Sequence, residues 1–321
     1  MSSHKKICVI GGGSWGKNHI RTLNDLGTLS AVVDNSESTI SELKNIYPDC
    51  KFFKNIEDTI QFDYDGYIVA TPPNTHYEIS KKIINIKKPL LVEKPITLNL
   101  KDALELNKLA KDKKVNLYVG HLLLFHPAYI KIKQMIENNS IGEIEYIYSN
   151  RLNLGTIRKD ENVFWSFAPH DIALIQFFLN SFPNSISSDG SAIIRKNIHD
   201  STITCLKYDN GVMAHIFVSW LHPYKEHKFI IIGSKGMISF EDSLKDKPLI
   251  YYDKKVDWVD GETIPHQGLS HNVTYDSTSA LENELKYFLD TLDKYPITKI
   301  NGDSAIEVIK ILEIATEDLI K

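Results

Sequence analysis

Residues 6–10 form an apolar run that ends in Gly11-Gly12-Gly13-Ser14-Trp15-Gly16, a G-x-G-x-x-G pattern carried by Gly11, Gly13 and Gly16. Glycines crowd turns everywhere, so the pattern alone is weak. Its setting strengthens it. The run reads as a strand, a helix is expected over 17–26, and an acidic residue, Asp34, closes the next strand about 20 residues on. In that arrangement the first glycine permits a tight turn, the second lets backbone approach a pyrophosphate, and the third lets helix and strand pack closely. The helix N-terminus, with Ser14 and Trp15 in its first turn, offers N–H groups and partial positive charge to phosphates. Asp34 is placed to accept from ribose hydroxyls, and a carboxylate there repels a 2′-phosphate. No Arg or Lys follows in Asn35-Ser36-Glu37-Ser38. The pattern therefore reads as a site for NAD in preference to NADP.

Two further segments fall at the carboxyl ends of expected parallel strands, the edge where such sheets hold ligands. They are Thr71-Pro72-Pro73-Asn74-Thr75-His76 and Glu93-Lys94-Pro95. Thr71, Pro72, Asn74, His76, Glu93 and Lys94 join the glycine loop as candidates to touch the cofactor. Lys94 is the candidate for chemistry. Desolvation beside a nicotinamide would lower its pKa toward use as a base. The alternative at even odds is an ordinary solvated loop lysine. His121 and His126 are five apart with no acidic or cysteine ligand nearby, so no metal site is expected.

These residues need elements to position them. Val- and Ile-rich runs at 6–10, 30–34, 67–70, 90–93 and 116–119 read as buried parallel strands. Amphipathic stretches at 36–47 and 100–113 lie between them, the alternation of a doubly wound parallel sheet. The texture changes near Gly120. A helix from Pro127 to about 139 is followed by longer strand-like runs at 143–152, 191–194, 202–208, 212–220, 228–232 and 237–240. Asp209-Asn210-Gly211 signals a hairpin. A covering helix is expected over 169–180, and helices return at 279–292 and 304–320. The fold class is α/β: a Rossmann-type domain at residues 1–121, then an α+β domain at 122–321 with a large, mostly antiparallel open sheet. The C-terminal helix is a candidate to pack back on the first domain.

Composition sets the outer bounds. The 321 residues suit two domains. Lys plus Arg is 37 against 41 Asp plus Glu, a net charge of −4, which disfavours nucleic-acid partners. No apolar stretch is long enough to span a membrane, and the polar first residues do not resemble a signal peptide. Three cysteines cannot make a disulfide framework, so a cytoplasmic setting is expected.

The chain resembles the glucose–fructose oxidoreductase / inositol dehydrogenase / MocA (Gfo/Idh/MocA) family over essentially its whole length. The resemblance rests on Gly11–Gly16, Thr71–His76, Glu93-Lys94-Pro95, Gly120, Ile141-Gly142-Glu143-Ile144 and Gly233-Ser234-Lys235-Gly236. It implies an NAD-dependent oxidoreductase with Lys94 in the active site, a Lys94–Pro95 peptide able to be cis, and a homodimer or homotetramer formed through the second-domain sheet. Family members usually carry an Asp four residues before a His. Here the His matches His170, but Ser166 stands at the earlier position, which weakens the case for polyols such as inositol. His170 is the second acid–base candidate, its ordinary pKa lying near neutrality.

The segment from Arg151 to Ile172 is similar to a nucleotide-sugar branch of that family. Such enzymes oxidise the C3 hydroxyl of UDP-N-acetylglucosamine, or of its uronic acid form, ahead of a pyridoxal-phosphate aminotransferase; the first supplies 2,3-diamino sugars for lipid A. The resemblance makes Arg151 and Arg158 candidates for the diphosphate, and Trp165, His170 and Tyr129 candidates for the rest of the nucleotide sugar. The rivals are a free-sugar or inositol dehydrogenase on the same fold and a non-catalytic dinucleotide sensor.

Overall fold

A computed structural model of the chain describes residues 5–159 and 161–320. The chain divides into two compact units, residues 1–122 with Ser279–Ile309, and Leu123–Thr278 with residues 310–321. The first division falls where the sequence texture changes. The part that returns to the first unit, Ser279–Ile309, is the segment before the last helix with only the beginning of that helix.

In the first unit, β1 (Ile7–Ile10), β2 (Leu29–Val33), β3 (Lys51–Phe53), β4 (Gly66–Val69), β5 (Leu90–Glu93) and β6 (Leu117–Gly120) form a parallel sheet of order β3-β2-β1-β4-β5-β6. β1, β4 and β6 are buried along their whole length. That explains their continuous apolar runs, since both faces of such a sheet are covered. The covers include α1 (Ser14–Asp25), α2 (Glu37–Ile46), α3 (His76–Asn85) and α4 (Leu100–Lys113). Ser36 and Asn99 cap α2 and α4 with their side chains. The strand order reverses direction of winding at β1 and β4, so the loops after β1, β4 and β5 collect at one edge.

The second unit holds α5 (Pro127–Glu137), β7 (Ile144–Leu152), α6 (Val163–Leu179) and β8 (Ser185–Ser191) to β14. β9 (Ser201–Lys207), β10 (Met213–Ser219), β11 (Glu226–Gly233), β12 (Met237–Glu241), β13 (Leu249–Val259) and β14 (Glu262–Asn272) complete a sheet of order β14-β13-β12-β11-β7-β10-β9-β8. Among the described strands of this sheet, only the β7–β10 pair is parallel. Burial alternates along β9 and β10, with Thr202, Thr204, Leu206, Ala214, Ile216 and Val218 inward, as befits a sheet with one covered face. Gly211, at φ 85°, turns β9 into β10 as the Asn-Gly signal predicts.

Several elements depart from the sequence reading, β3 and α3 among them, where it placed neither strand nor helix. α6 begins at Val163, not at Pro169, because Asn162 caps it by accepting from the Trp165 N–H at 3.0 Å. Pro169 therefore sits inside the helix. The strand expected at 191–194 lies earlier, as β8. The β13–β14 hairpin was not foreseen, although Asp260-Gly261 turns it with both φ positive; β13 is mostly half-buried and β14 mostly exposed, so neither shows a buried-exposed alternation to read.

Near the C-terminus, α7 (Ala280–Thr291) lies in the first unit, and α8 (Gly302–Ile320) is divided between the units at Ile309. α7 buries Leu281, Glu284, Leu285 and Phe288, one face at helical spacing that includes a carboxyl. Gly66 makes room for it: a Cβ there would stand 2.9 Å from Phe288 and Leu292. Tyr118 and Thr291 share a hydroxyl hydrogen bond of 2.9 Å, and Asn116 donates to the Lys294 carbonyl at 2.7 Å, pinning α7 to the end of β6.

Candidate active site

The glycine loop has the geometry its spacing implies. Gly11 takes φ 99°, and a Cβ there would meet the Ala70 carbonyl at 2.5 Å. A Cβ on Gly16 would stand 1.9 Å from the Gly11 carbonyl, so only glycine allows α1 to start this close to the loop. Gly13 meets nothing within 4 Å and faces open space. It is the N-cap of α1, no side chain caps that terminus, and no acidic residue lies in the first turn. The first N–H groups and the positive end of the helix are thus left for an anion. Asp34 is held by two backbone donors, Gly12 N–H at 2.7 Å and Ser36 N–H at 2.8 Å. This set fits NAD: an uncapped helix for the pyrophosphate and a fixed carboxylate for ribose hydroxyls.

The loops after β4 and β5 are tied together by His76. Its Nδ1 lies 2.8 Å from the Pro95 carbonyl and its Nε2 2.9 Å from the Thr71 carbonyl. The ring is buried, and burial holds its pKa below the ordinary value. Both ring nitrogens are engaged by backbone carbonyls, so His76 ties the two candidate cofactor loops together. The Lys94–Pro95 peptide is cis.

Glu93 is the hub of a buried polar group. Its Oε1 receives the Trp15 indole N–H and contacts His19 Nε2 at 2.7 Å, and its Oε2 receives the Lys94 backbone N–H at 3.2 Å. Gly120 lies flush against it, since a Cβ there would be 3.1 Å from Oε2. Burial pushes the Glu93 pKa up, but His19, Trp15 and the Lys94 charge outweigh it and hold it below the usual value. Glu93 thus stands as the fixed anion beside Lys94, with its oxygens engaged by protein donors. His121 is buried and kept neutral: desolvation, then the Lys94 charge, lower its pKa to about 4. His19, His121 and Glu284 of α7 belong to this cluster, and the sequence reading singled out none of them for it. His19 one helical turn after Trp15 was the available signal, since i and i+4 share a face.

In the second unit, His170 lies half-buried on α6, one turn after the buried Ser166. Three expected substrate contacts have other partners. Arg151 on β7 is buried and forked onto Asp171 of α6, Nε to Oδ2 at 2.8 Å and NH2 to Oδ1 at 3.0 Å, with Ser149 donating to Oδ1 at 2.6 Å. Its guanidinium is thus engaged by a buried carboxylate. Tyr129 is buried in an aromatic core with Phe178, Phe229 and Phe240. Trp165 donates its indole N–H to Thr316 at 2.9 Å. Arg158 alone of the two arginines is exposed, 3.4 Å from Glu161. Among the described residues no group of His, Cys, Asp or Glu could hold a metal, and no helix is long and apolar enough to cross a membrane.

Comparison with known proteins follows the same division. Residues 5–121 match the Gfo/Idh/MocA oxidoreductase family, NAD-binding Rossmann fold, and residues 129–239 match the Gfo/Idh/MocA C-terminal domain. Myo-inositol 2-dehydrogenase of Thermotoga maritima is 26% identical over 266 residues, 78% of this chain and 79% of that protein. UDP-N-acetylglucosamine 3-dehydrogenase of Acidithiobacillus ferrooxidans is 24% identical over 217 residues, 67% of each. The solved structure of the latter, GnnA, shares the fold at a TM-score of 0.86 and 21% identity, covering 98% of this chain and 97% of that one. GenD2 from gentamicin A biosynthesis, solved with NAD, shares it at 0.82 and 17% identity, covering 100% and 95%.

Proposed function

Because the chain belongs to the Gfo/Idh/MocA family of oxidoreductases and carries that family's NAD-binding domain, we propose that it oxidises the C3 hydroxyl of UDP-N-acetylglucosamine to the 3-keto sugar. The observation that carries this choice over a polyol is Ser166, buried one turn before His170 where the family resemblance calls for an Asp. The full-length likeness of fold to GnnA supports it.

NAD supplies the hydride acceptor. The protein supplies the proton chemistry and the positioning. Lys94 takes the hydroxyl proton as the hydride leaves, and Glu93 holds the Lys94 loop through the backbone N–H. His170 is the alternative base. Arg158 is assigned to the diphosphate, since Arg151 is committed to Asp171. The product is a ketone suited to a pyridoxal-phosphate aminotransferase. A second copy of the chain is assigned to the open sheet, where Trp258 on β13 and Leu269 on β14 are 75% and 86% exposed.

Relatives that act on inositol keep a second reading open, a free polyol as substrate. A dinucleotide sensor is disfavoured by Lys94 and His170 occurring together. The deciding experiment incubates the protein and NAD with UDP-N-acetylglucosamine, its uronic acid or myo-inositol. Mass spectrometry is expected to show loss of two hydrogens from the first. Oxidation of myo-inositol alone would transfer the assignment to the polyol.

A further inference from the structure

Trp15 is a large ring set among glycines, the second residue of α1, and it is left 41% exposed. Its indole N–H donates to Glu93 Oε1. One turn on, His19 Nε2 lies 2.7 Å from the same oxygen, and the Trp15 and His19 rings meet edge to face at 6.1 Å. The other oxygen, Oε2, accepts the Lys94 backbone N–H at 3.2 Å. Gly120 of β6 lies against this carboxyl, where a Cβ would stand 3.1 Å from Oε2. A carboxylate bonded through both oxygens and backed by a strand passes a displacement of one partner on to the other. Hydrogen bonds to an ionised carboxylate are stronger than neutral ones, so the link holds.

Trp15 also stands at the dinucleotide cradle. Its backbone N–H lies in the first turn of a helix with no side-chain cap, where N–H groups have no acceptor within the helix. A pyrophosphate drawn to that terminus meets Trp15 by its backbone, while the side chain of the same residue holds Glu93. His19 is fully buried, so of the two groups on Oε1 Trp15 is the one that a ligand can reach.

We propose that Trp15 is a positioning residue that couples the cofactor's phosphates to the Lys94 loop. Phosphate binding fixes the first turn of α1, the indole N–H fixes Glu93 Oε1, and Oε2 fixes the Lys94 backbone. Lys94 is then held most firmly when the cradle is filled. The kinetic consequence rests on Lys94 being the base of the proposed reaction; the coupling itself does not.

Hydrogen exchange of the Lys94 amide tests the coupling without any sugar, in wild type and in Trp15→Phe, each with and without saturating NAD. In the wild type NAD is expected to slow that amide about tenfold. In Trp15→Phe the slowing is expected to fall below about threefold, although NAD still protects residues 12–16 and its calorimetric dissociation constant changes by less than about threefold. A ring that merely packs would raise the exchange of Lys94 alike with and without NAD, leaving the ratio unchanged. An unchanged ratio, or no slowing by NAD in the wild type, would overturn the proposal. Should Trp15→Phe not fold, Trp15→Leu removes the ring with the donor and carries the same expectation.

Turnover separates the coupling from the functional reading. With whichever of UDP-N-acetylglucosamine and myo-inositol reduces NAD, Trp15→Phe is expected to lower kcat about tenfold with the KM for NAD nearly unchanged. Loss of coupling with full kcat would uphold the proposal and overturn Lys94 as the base. Retained coupling overturns the proposal whatever the sugar does.

Discussion

Two buried ionic clusters, one in each unit, are built on opposite plans. In the second unit Arg151 and Asp171 are closed on each other: both carboxylate oxygens accept from the guanidinium, and Ser149 fills a further lone pair. In the first unit Glu93 is satisfied, but His19, His121 and Glu284 around it present buried nitrogens and oxygens with no partner among the described residues. A closed pair can do little but hold β7 to α6. An open cluster lowers stability and persists where it serves chemistry. Under the proposed function the contrast assigns structure to the Arg151 pair and reaction to the Lys94 centre.

The sharpest way to break that assignment is at Lys94. Lys94→Ala is expected to abolish turnover while leaving NAD affinity, measured by calorimetry, nearly intact, because the pyrophosphate cradle and Asp34 lie on other loops. Full activity in this variant would remove Lys94 from the mechanism. His170→Ala is expected to slow turnover by roughly 10²–10⁴ if His170 shares the acid–base work. A change within about twofold would leave it a packing residue of α6.

The Arg151 pair is expected to fail the other way. Asp171→Ala leaves a buried guanidinium without its carboxylate, and a loss of about 3–5 kcal/mol is expected from the urea midpoint at constant slope. Removing both charges with Arg151→Met and Asp171→Leu is expected to restore most of that stability, since apolar replacement of a whole buried pair is often neutral. If the double variant folds normally yet loses turnover, Arg151 contacts substrate after all and the contrast collapses.

The fold was legible where local chemistry and tertiary setting agree. Gly11, Gly16 and Asp34 could be read because each is demanded by backbone geometry that the spacing itself encodes. The loop that carries Lys94 was legible from its place after a parallel strand. The burial of Arg151 and Tyr129 was not legible, because a sequence shows a side chain's chemistry and not its surroundings. Asp171, twenty residues on from Arg151, decides what the guanidinium does. Glu284 was hidden for a related reason: in Leu281–Phe288 it looks like the polar face of an amphipathic helix, and only the packing of α7 against the first sheet puts it inside.

That hidden carboxyl yields the smallest effect and the finest test. Glu284 keeps its proton in the folded chain above 4.5, where the unfolded chain loses it. The unfolded state then binds fewer protons, so this group's contribution to stability falls as pH rises, until the folded pKa is passed. His121 works the other way. Its folded pKa of about 4 lies under the ordinary 6.5, so its contribution is lost as pH falls from about 6.5 toward 4. Below pH 6.5 the two oppose each other; above it His121 is neutral in both states and Glu284 stands alone. His121 is common to both chains, so from pH 4.5 upward thermal melts of the wild-type chain and of Glu284→Gln are expected to diverge until the folded pKa of Glu284 is passed. The variant gains at up to about 1.4 kcal/mol per pH unit. Parallel curves over that window would mean that Glu284 ionises as freely in the folded protein as in the unfolded one, and that the open cluster is no more a proton-holding device than the closed pair.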